Sequence, residues 1–214
     1  MKKLKRNNSG VWVMVAHDGE FAHPDANICY TGIGKVNAAI AAQHIIDTEH
    51  PRLVISMGTA GSSVFDFGEI VNPTGWVQRD MNLTEFAGPK YVVPFSEDAS
   101  ILEYGRRDEK YPHAVCGSGD TFVRNIAADI WDCVEMEGFA IAYACRAAHP
   151  RPACTSAVGP GANDPKKSTG GGIPFVAYKF ISDGKSADTT DHEWSAVLNE
   201  AKAALHKVYE EIEK

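Results

Sequence analysis

Short apolar runs alternate with stretches of helical period along this chain, and that alternation constrains its fold more than any other feature. The runs are residues 11–16, 53–57, 70–78, 114–116 and 175–181. Each has the length of a buried strand and falls far short of a membrane span. Residues 35–49 read as a helix, with Val36, Ala39, Ile40 and Ile46 near helical spacing, and residues 137–148 as a second, Ala-rich one. In the last stretch Trp194, Val197, Leu198, Ala201, Leu205, Val208, Tyr209 and Ile212 recur at three- and four-residue steps. That stripe predicts a helix packed on the core, with Asp191 placed to cap its start. Strands alternating with helices predict an α/β sheet with crossover helices. Ligands in such sheets bind beyond the carboxyl ends of the strands, so the strand-to-helix turns are where chemistry is expected.

Composition narrows the class. With 214 residues the chain suits one sizeable domain or two very small ones, and 44% apolar with 23% charged residues is too apolar for disorder. A net charge of −7 argues against a broad nucleic-acid or anionic-membrane surface. The start, Met1 to Arg6, is basic, but the apolar run after it is too short for a signal peptide, so no export is expected. Cys29, Cys116, Cys133, Cys145 and Cys154 show no CxxC spacing. This odd, scattered set suits free thiols in a reducing compartment better than a disulfide framework or a zinc site. Residues 149–172, HPRPACTSAVGPGANDPKKSTGGG, have no apolar period and read as a long inserted loop. Lying between a helix and a strand, they belong at the sheet end opposite the expected site unless they fold back.

Four segments carry candidate chemistry. Thr31-Gly32-Ile33-Gly34-Lys35 precedes a helix, and is either an anion cradle or a tight turn. Met57-Gly58-Thr59-Ala60-Gly61-Ser62 follows a predicted strand and offers backbone N–H groups and hydroxyls, or simply a packed turn. In Val134-Glu135-Met136-Glu137-Gly138, an extended backbone points both glutamates to one side; a helix N-terminus would equally favour either carboxylate. Phe180-Ile181-Ser182-Asp183-Gly184 closes an apolar run and is a functional strand end or an ordinary turn. All four are read as falling at strand ends in one small α/β chain.

Together these residues resemble the nucleoside phosphorylase/nucleosidase superfamily, above all the 5′-methylthioadenosine/S-adenosylhomocysteine nucleosidases. The matching pieces are TGIGKVNAAIAA (31–42), ISMGTAGS (55–62), GSGDTFV (117–123), VEMEGFAIA (134–142) and FVAYKFISDGKSAD (175–188). The resemblance implies a three-layer αβα sandwich around a central twisted mixed sheet, in a single domain spanning 1–214, and usually a homodimer or higher homo-oligomer. Asp183 resembles the general acid that protonates purine N7, and Ser182 the hydroxyl that orients it. Glu137 resembles the carboxylate on the ribose hydroxyls, Met136 the residue under the sugar, and Glu135 belongs to the same motif. Phe122 resembles the ring that stacks on the base, with Val123 giving backbone contacts to the purine edge. Thr59, Ala60 and Gly61 resemble the segment beside the ribose and the nucleophile. Glu20 aligns with the water-activating carboxylate, with Asp18 as the alternative. Three departures stand out: only ten residues separate Glu20 from Thr31, the stretch from Glu137 to Asp183 is about twice the usual length, and Lys179 stands where family nucleosidases tend to carry an arginine.

These residue types suit cleavage of an N-ribosidic bond. The sugar becomes oxocarbenium-like while the purine takes up electrons, and a carboxylic acid at N7 removes the charge problem, worth ~10²–10⁴-fold. An acid in that role must hold a proton near neutral pH through burial or neighbouring acids. A base on the opposite face activates water, as in inverting glycosidases. Phosphorolysis instead needs a phosphate grip, for which arginine is the suited residue. Ile55-Ser56-Met57 carries no positive charge, and Arg52 lies at the wrong end of that run. Hydrolysis of a purine nucleoside is therefore expected. The competing readings are a purine nucleoside phosphorylase, a non-catalytic nucleoside-binding member of the fold, and a Gly-rich phosphate binder unrelated to the family. Neither a metal motif nor a dinucleotide fingerprint is present in the sequence, so no cofactor is expected.

Overall fold

β3 (Leu53–Ser62) is the spine of the molecule, a ten-residue strand buried along almost its whole length. The structure is a computed structural model that describes residues 7–85, 88–93, 98–123, 126–127, 129–148, 172–184 and 194–212. On one side of β3 lies β1 (Val11–Val15), followed by β2 (Asn27–Tyr30), both running parallel to it. Along its other edge β3 pairs parallel with β8 (Phe175–Asp183), while its last two residues, Gly61 and Ser62, pair antiparallel with β7 (Cys133–Glu135) on the edge opposite β8. β6 (His113–Ser118) joins β7 to β4 (Ile70–Gln78), β4 returns to β8, and β5 (Leu102–Glu103) flanks β4. The sheet is thus mixed, and β3, β7, β6, β4 and β8 close into a ring. Pro73 lies inside β4, where the register with β6 shifts between Pro73 and Gly75. A bulge is where a strand tolerates the missing N–H.

Helices cover both faces. α1 (Lys35–Glu49) and α2 (Gly138–Ala147) pack together on one side, where Ala38, Ala42, Ala140, Ile141 and Cys145 meet Met14, Trp76 and Ile181. α3 (Trp194–Ile212) packs on the other, where Val197, Ala201, Leu205 and Val208 meet Val13, Ile55, Met57 and Tyr178. Three layers with two apolar cores follow, the expected αβα sandwich. A Cβ at Gly138 would run into the Trp76 ring, so glycine lets α2 start against the sheet.

Several sequence expectations need correction. The glycine-rich residues 57–62 form no turn after a strand; they are the second half of β3. Gly117 likewise lies inside β6. Burial on both faces removes the alternation that marks a strand, and the glycines admit close neighbours: a Cβ at Gly117 would sit 3.0 Å from the Trp131 ring. On α1 the buried residues are Ala38, Ala42, Ile45 and Ile46, while Val36 and Ile40 stand 68% and 66% exposed. β2, β5 and β7 go beyond the strands that the sequence predicts; at four, two and three residues they are too short to show a period. Asp191, Cys154 and residues 149–171 of the predicted loop lie outside the described residues.

Candidate active site

Every predicted site residue borders a single cleft of about 170 Å³ at the carboxyl ends of β1, β3, β7 and β8. Glu20 enters from the turn after β1, which its N–H closes on the His17 carbonyl at 3.2 Å. Its Oε1 accepts the Thr59 amide at 3.0 Å and the Thr59 hydroxyl at 2.7 Å. Gly58 makes room, since a Cβ there would stand 3.3 Å from that oxygen. The carboxylate is therefore fixed against the middle of β3 while remaining at the cleft wall. Asp18, the alternative, is exposed and faces the neighbouring cleft.

Ser182 and Asp183 owe their direction to a bulge. Ala60 pairs with Ile181 but Gly61 pairs with Asp183, so Ser182 is the extra residue on β8. Such an irregularity bends a strand end and re-aims its side chains. The Ser182 hydroxyl lies 3.4 Å from both the Ala60 carbonyl and Asp183 Oδ2, directly between β3 and the acid.

The two glutamates of the VEMEG segment do different work. β7 ends at Glu135 and α2 begins at Gly138, so the extended backbone that would align them does not persist. Glu135 Oε2 accepts the N–H groups of Glu137 at 3.0 Å and Gly138 at 2.7 Å, and the Lys179 ammonium at 3.1 Å. Its Oε1 accepts the Ser118 hydroxyl, whose oxygen in turn accepts the Phe139 N–H at 2.8 Å. This is the helix-terminus alternative, realised with a side chain from the preceding strand. Burial opposes the Glu135 charge, but Lys179 and these donors outweigh it and hold the carboxyl below its ordinary range. Lys179, itself buried, is held protonated by Glu135 and Glu137 despite its burial.

Glu137 instead turns to the cleft. Its Oε1 accepts the Gly34 N–H at 2.7 Å, a geometry that relies on a φ of 96° at Gly34. The next amide, Lys35 N–H, goes to Asp120 Oδ1 at 2.7 Å. The amides expected to cradle an anion before α1 are thus taken by the protein's own carboxylates. Burial, then the charge of Glu135, push Glu137 up to about 7, so this acid titrates near neutrality.

Met136 is half-buried between the glutamates, and Phe122 stands at the rim with 69% of its surface exposed. Val123, Thr59, Ala60 and Gly61 complete the predicted set. The wall residues outside that set include Ile33, Arg79, Thr121 and Trp194. Trp194 belongs to the predicted core stripe of α3, yet it stands 49% exposed at the cleft. Arg79 follows β4 directly, a strand-end position that could have flagged it. Its guanidinium donates to the Thr121 hydroxyl and the Gly119 carbonyl, both at 3.2 Å, and to the Thr121 carbonyl. A second cleft of about 640 Å³, between the β1 turn, β2 and α1, shares Ala16 and His17 with the first.

A mixed sheet covered by helices on both faces, with carboxylates gathered at one set of strand ends, defines an α/β protein of the phosphorylase/hydrolase type. The chain belongs to the phosphorylase superfamily, whose family model matches residues 14–213. Within it, the chain is 34% identical over 147 residues to the 5′-methylthioadenosine/S-adenosylhomocysteine nucleosidase of Buchnera aphidicola subsp. Acyrthosiphon pisum (strain Tuc7). That match covers 59% of this chain and 63% of the Buchnera protein's length. The protein of the same name from Staphylococcus haemolyticus is 29% identical over 94% of this chain and 89% of its own. Among solved structures, the Campylobacter jejuni nucleosidase of that name aligns with a TM-score of 0.68 at 18% identity, over 92% of this chain and 96% of its own. A futalosine hydrolase mutant of Helicobacter pylori aligns at 0.67 and 18%, over 94% of this chain and 98% of its own. At such identities the structural likeness establishes the fold.

Proposed function

We propose that this chain is a purine nucleosidase that hydrolyses the N-ribosidic bond of 5′-methylthioadenosine or S-adenosylhomocysteine. The observation that carries the reading is the convergence of Glu20, Glu137 and Asp183, from three separate elements, on one cleft beside Thr59–Gly61. The names of the relatives supply the substrate class. In this reading Asp183, steered by Ser182, gives its proton to N7 as the C1′–N9 bond breaks. Glu137 holds the ribose hydroxyls and strengthens its grip as the sugar gains positive charge. Glu20 takes a proton from the water whose oxygen bonds to C1′. Phe122 covers the base, Val123 meets its edge and Met136 lies under the sugar. Glu135 acts through position, since four donors occupy its oxygens. The neighbouring cleft offers room for a 5′-substituent.

Hydrolysis is favoured over phosphorolysis because the amides before α1 are already paired with Glu137 and Asp120, and two of the three guanidinium nitrogens of Arg79 with Gly119 and Thr121, leaving its Nε unpaired. Release of free base from 5′-methylthioadenosine, S-adenosylhomocysteine, adenosine and inosine, each with and without phosphate, tests this. Base release without phosphate is expected, fastest for a 5′-thio substrate. Release only with phosphate would make the protein a phosphorylase, and binding without release a non-catalytic member of the fold.

The same reading takes the chain as one domain working in the cytoplasm, where thiols stay reduced. The four described cysteines are free, and no helix among the described residues is long and apolar enough to cross a membrane. It also takes the protein as a homodimer. Ile33, Val36 and Ile40 form an exposed apolar strip along the start of α1, which a second copy would cover. Sedimentation velocity should give twice the chain mass; a monomer at all concentrations would refute the dimer.

A further inference from the structure

Away from the cleft, the fold gathers three metal-ligating side chains that the sequence separates widely. His23 lies on the segment after Glu20, and His206 and Glu210 lie one turn apart on α3. One donor atom from each falls within 4.8 Å of the others. We propose that His23, His206 and Glu210 bind a divalent transition-metal ion of the zinc type, clamping the segment that carries Glu20 to the last helix.

The donor chemistry selects the ion. Two imidazoles and one carboxylate suit zinc and its neighbours, whereas magnesium and calcium prefer oxygen alone. Donors around a tetrahedral zinc sit roughly 3.4 Å apart, given metal–ligand distances of about 2.1 Å. His206 Nδ1 and Glu210 Oε1 are 3.9 Å apart, and their i, i+4 spacing keeps them on one face of α3. His23 comes from the other side, its ring 4.4 Å from that of His206. The donor separations therefore exceed those of a tetrahedral set by about 1.4 Å at most. Aromatic neighbours hold the rings: Tyr209 lies 4.8 Å from His23 and Phe21 lies 6.1 Å from His206. His23 Nδ1 now accepts the Asp25 amide at 3.2 Å. Coordination through either ring nitrogen ends that long bond, because Nδ1 then holds the ion or the ring proton. Three protein donors leave a fourth position to water.

Titration of the chelator-treated full chain with zinc chloride at neutral to mildly alkaline pH, read by calorimetry and by melting temperature, tests the site. One equivalent is expected to bind and to raise the melting temperature. His206→Ala and His23→Gln, on separate elements, should each weaken binding by at least about tenfold. Cobalt(II) in place of zinc separates this site from the cysteines, because a thiolate ligand adds an intense charge-transfer band. Absence of binding, affinity unchanged in both variants, or a thiolate band that persists in them would overturn the assignment.

Discussion

Asp183→Asn should reduce base release by about 10²–10⁴-fold, the usual worth of a general acid. Asparagine keeps the shape of the side chain, its place beside the Ser182 hydroxyl and the capacity to donate a hydrogen bond to N7. It has no proton to transfer, so the purine must leave as an anion. The loss should fall on kcat, because the contacts that bind the intact nucleoside survive. Affinity for an uncleavable nucleoside analogue should stay within a few-fold of the wild type. That comparison separates chemistry from damage: a variant that neither binds nor turns over has lost the strand end, whereas one that turns over normally removes Asp183 from the acid role. The bulge makes the distinction meaningful. It places Ser182 as the extra residue between the Ala60 and Gly61 partners, so the direction of Asp183 comes from the backbone and is kept in the variant.

What the sequence disclosed follows from what burial leaves visible. α3 is half-buried, so its stripe at three- and four-residue steps survives as a pattern and its range was legible. β4 was legible end to end, because Ile70, Val71, Trp76 and Val77 bracket its polar middle. β3 was legible for half its length, because its second half packs glycines and hydroxyls where a buried strand usually packs branched side chains. The start of α1 misled for the opposite reason: Val36 and Ile40 are apolar yet face outward, and the helix buries alanines instead. The site residues were legible from their motifs and their positions at element boundaries. Their partners were not, because those contacts are long-range. Nothing near Glu137 in the chain announces that its carboxylate meets the Gly34 amide, 103 residues away. Nor does His23 announce His206. The helix-capping role of Glu135 was one of two open alternatives, and only the end of β7 at that residue decides between them.

Glu137→Gln should weaken catalysis while making the protein more stable, and the two effects should share one pH window. Burial and the charge of Glu135 raise the Glu137 carboxyl from 4.5 to about 7. In the unfolded chain the group loses its proton near 4.5, so between about 4.5 and 7 the native state binds more protons. Stability therefore falls as pH rises through that window, and the full cost is present above 7. Each pH unit between the two values is worth about 1.4 kcal/mol, which makes that cost about 3 kcal/mol. Glutamine carries no charge to desolvate, and its Oε1 can still accept the Gly34 amide. The variant should thus melt higher than the wild type at about pH 8 and converge with it near pH 4.5. Catalysis should move the other way. A carboxylate on the ribose hydroxyls is a charged acceptor, worth about 1.5–3 kcal/mol, so kcat/KM should drop roughly 10- to 100-fold above about pH 7. The wild-type profile should rise through about 7 as Glu137 ionises, and the variant should lose that limb. A 2′-deoxynucleoside should lose less than its ribo counterpart; equal losses would count against a 2′-hydroxyl contact. A variant less stable than the wild type in alkali would contradict the charge argument, and an unchanged acid limb would assign that limb to another group. Both outcomes in the expected direction would mean that the cleft retains a destabilising charge because the reaction uses it.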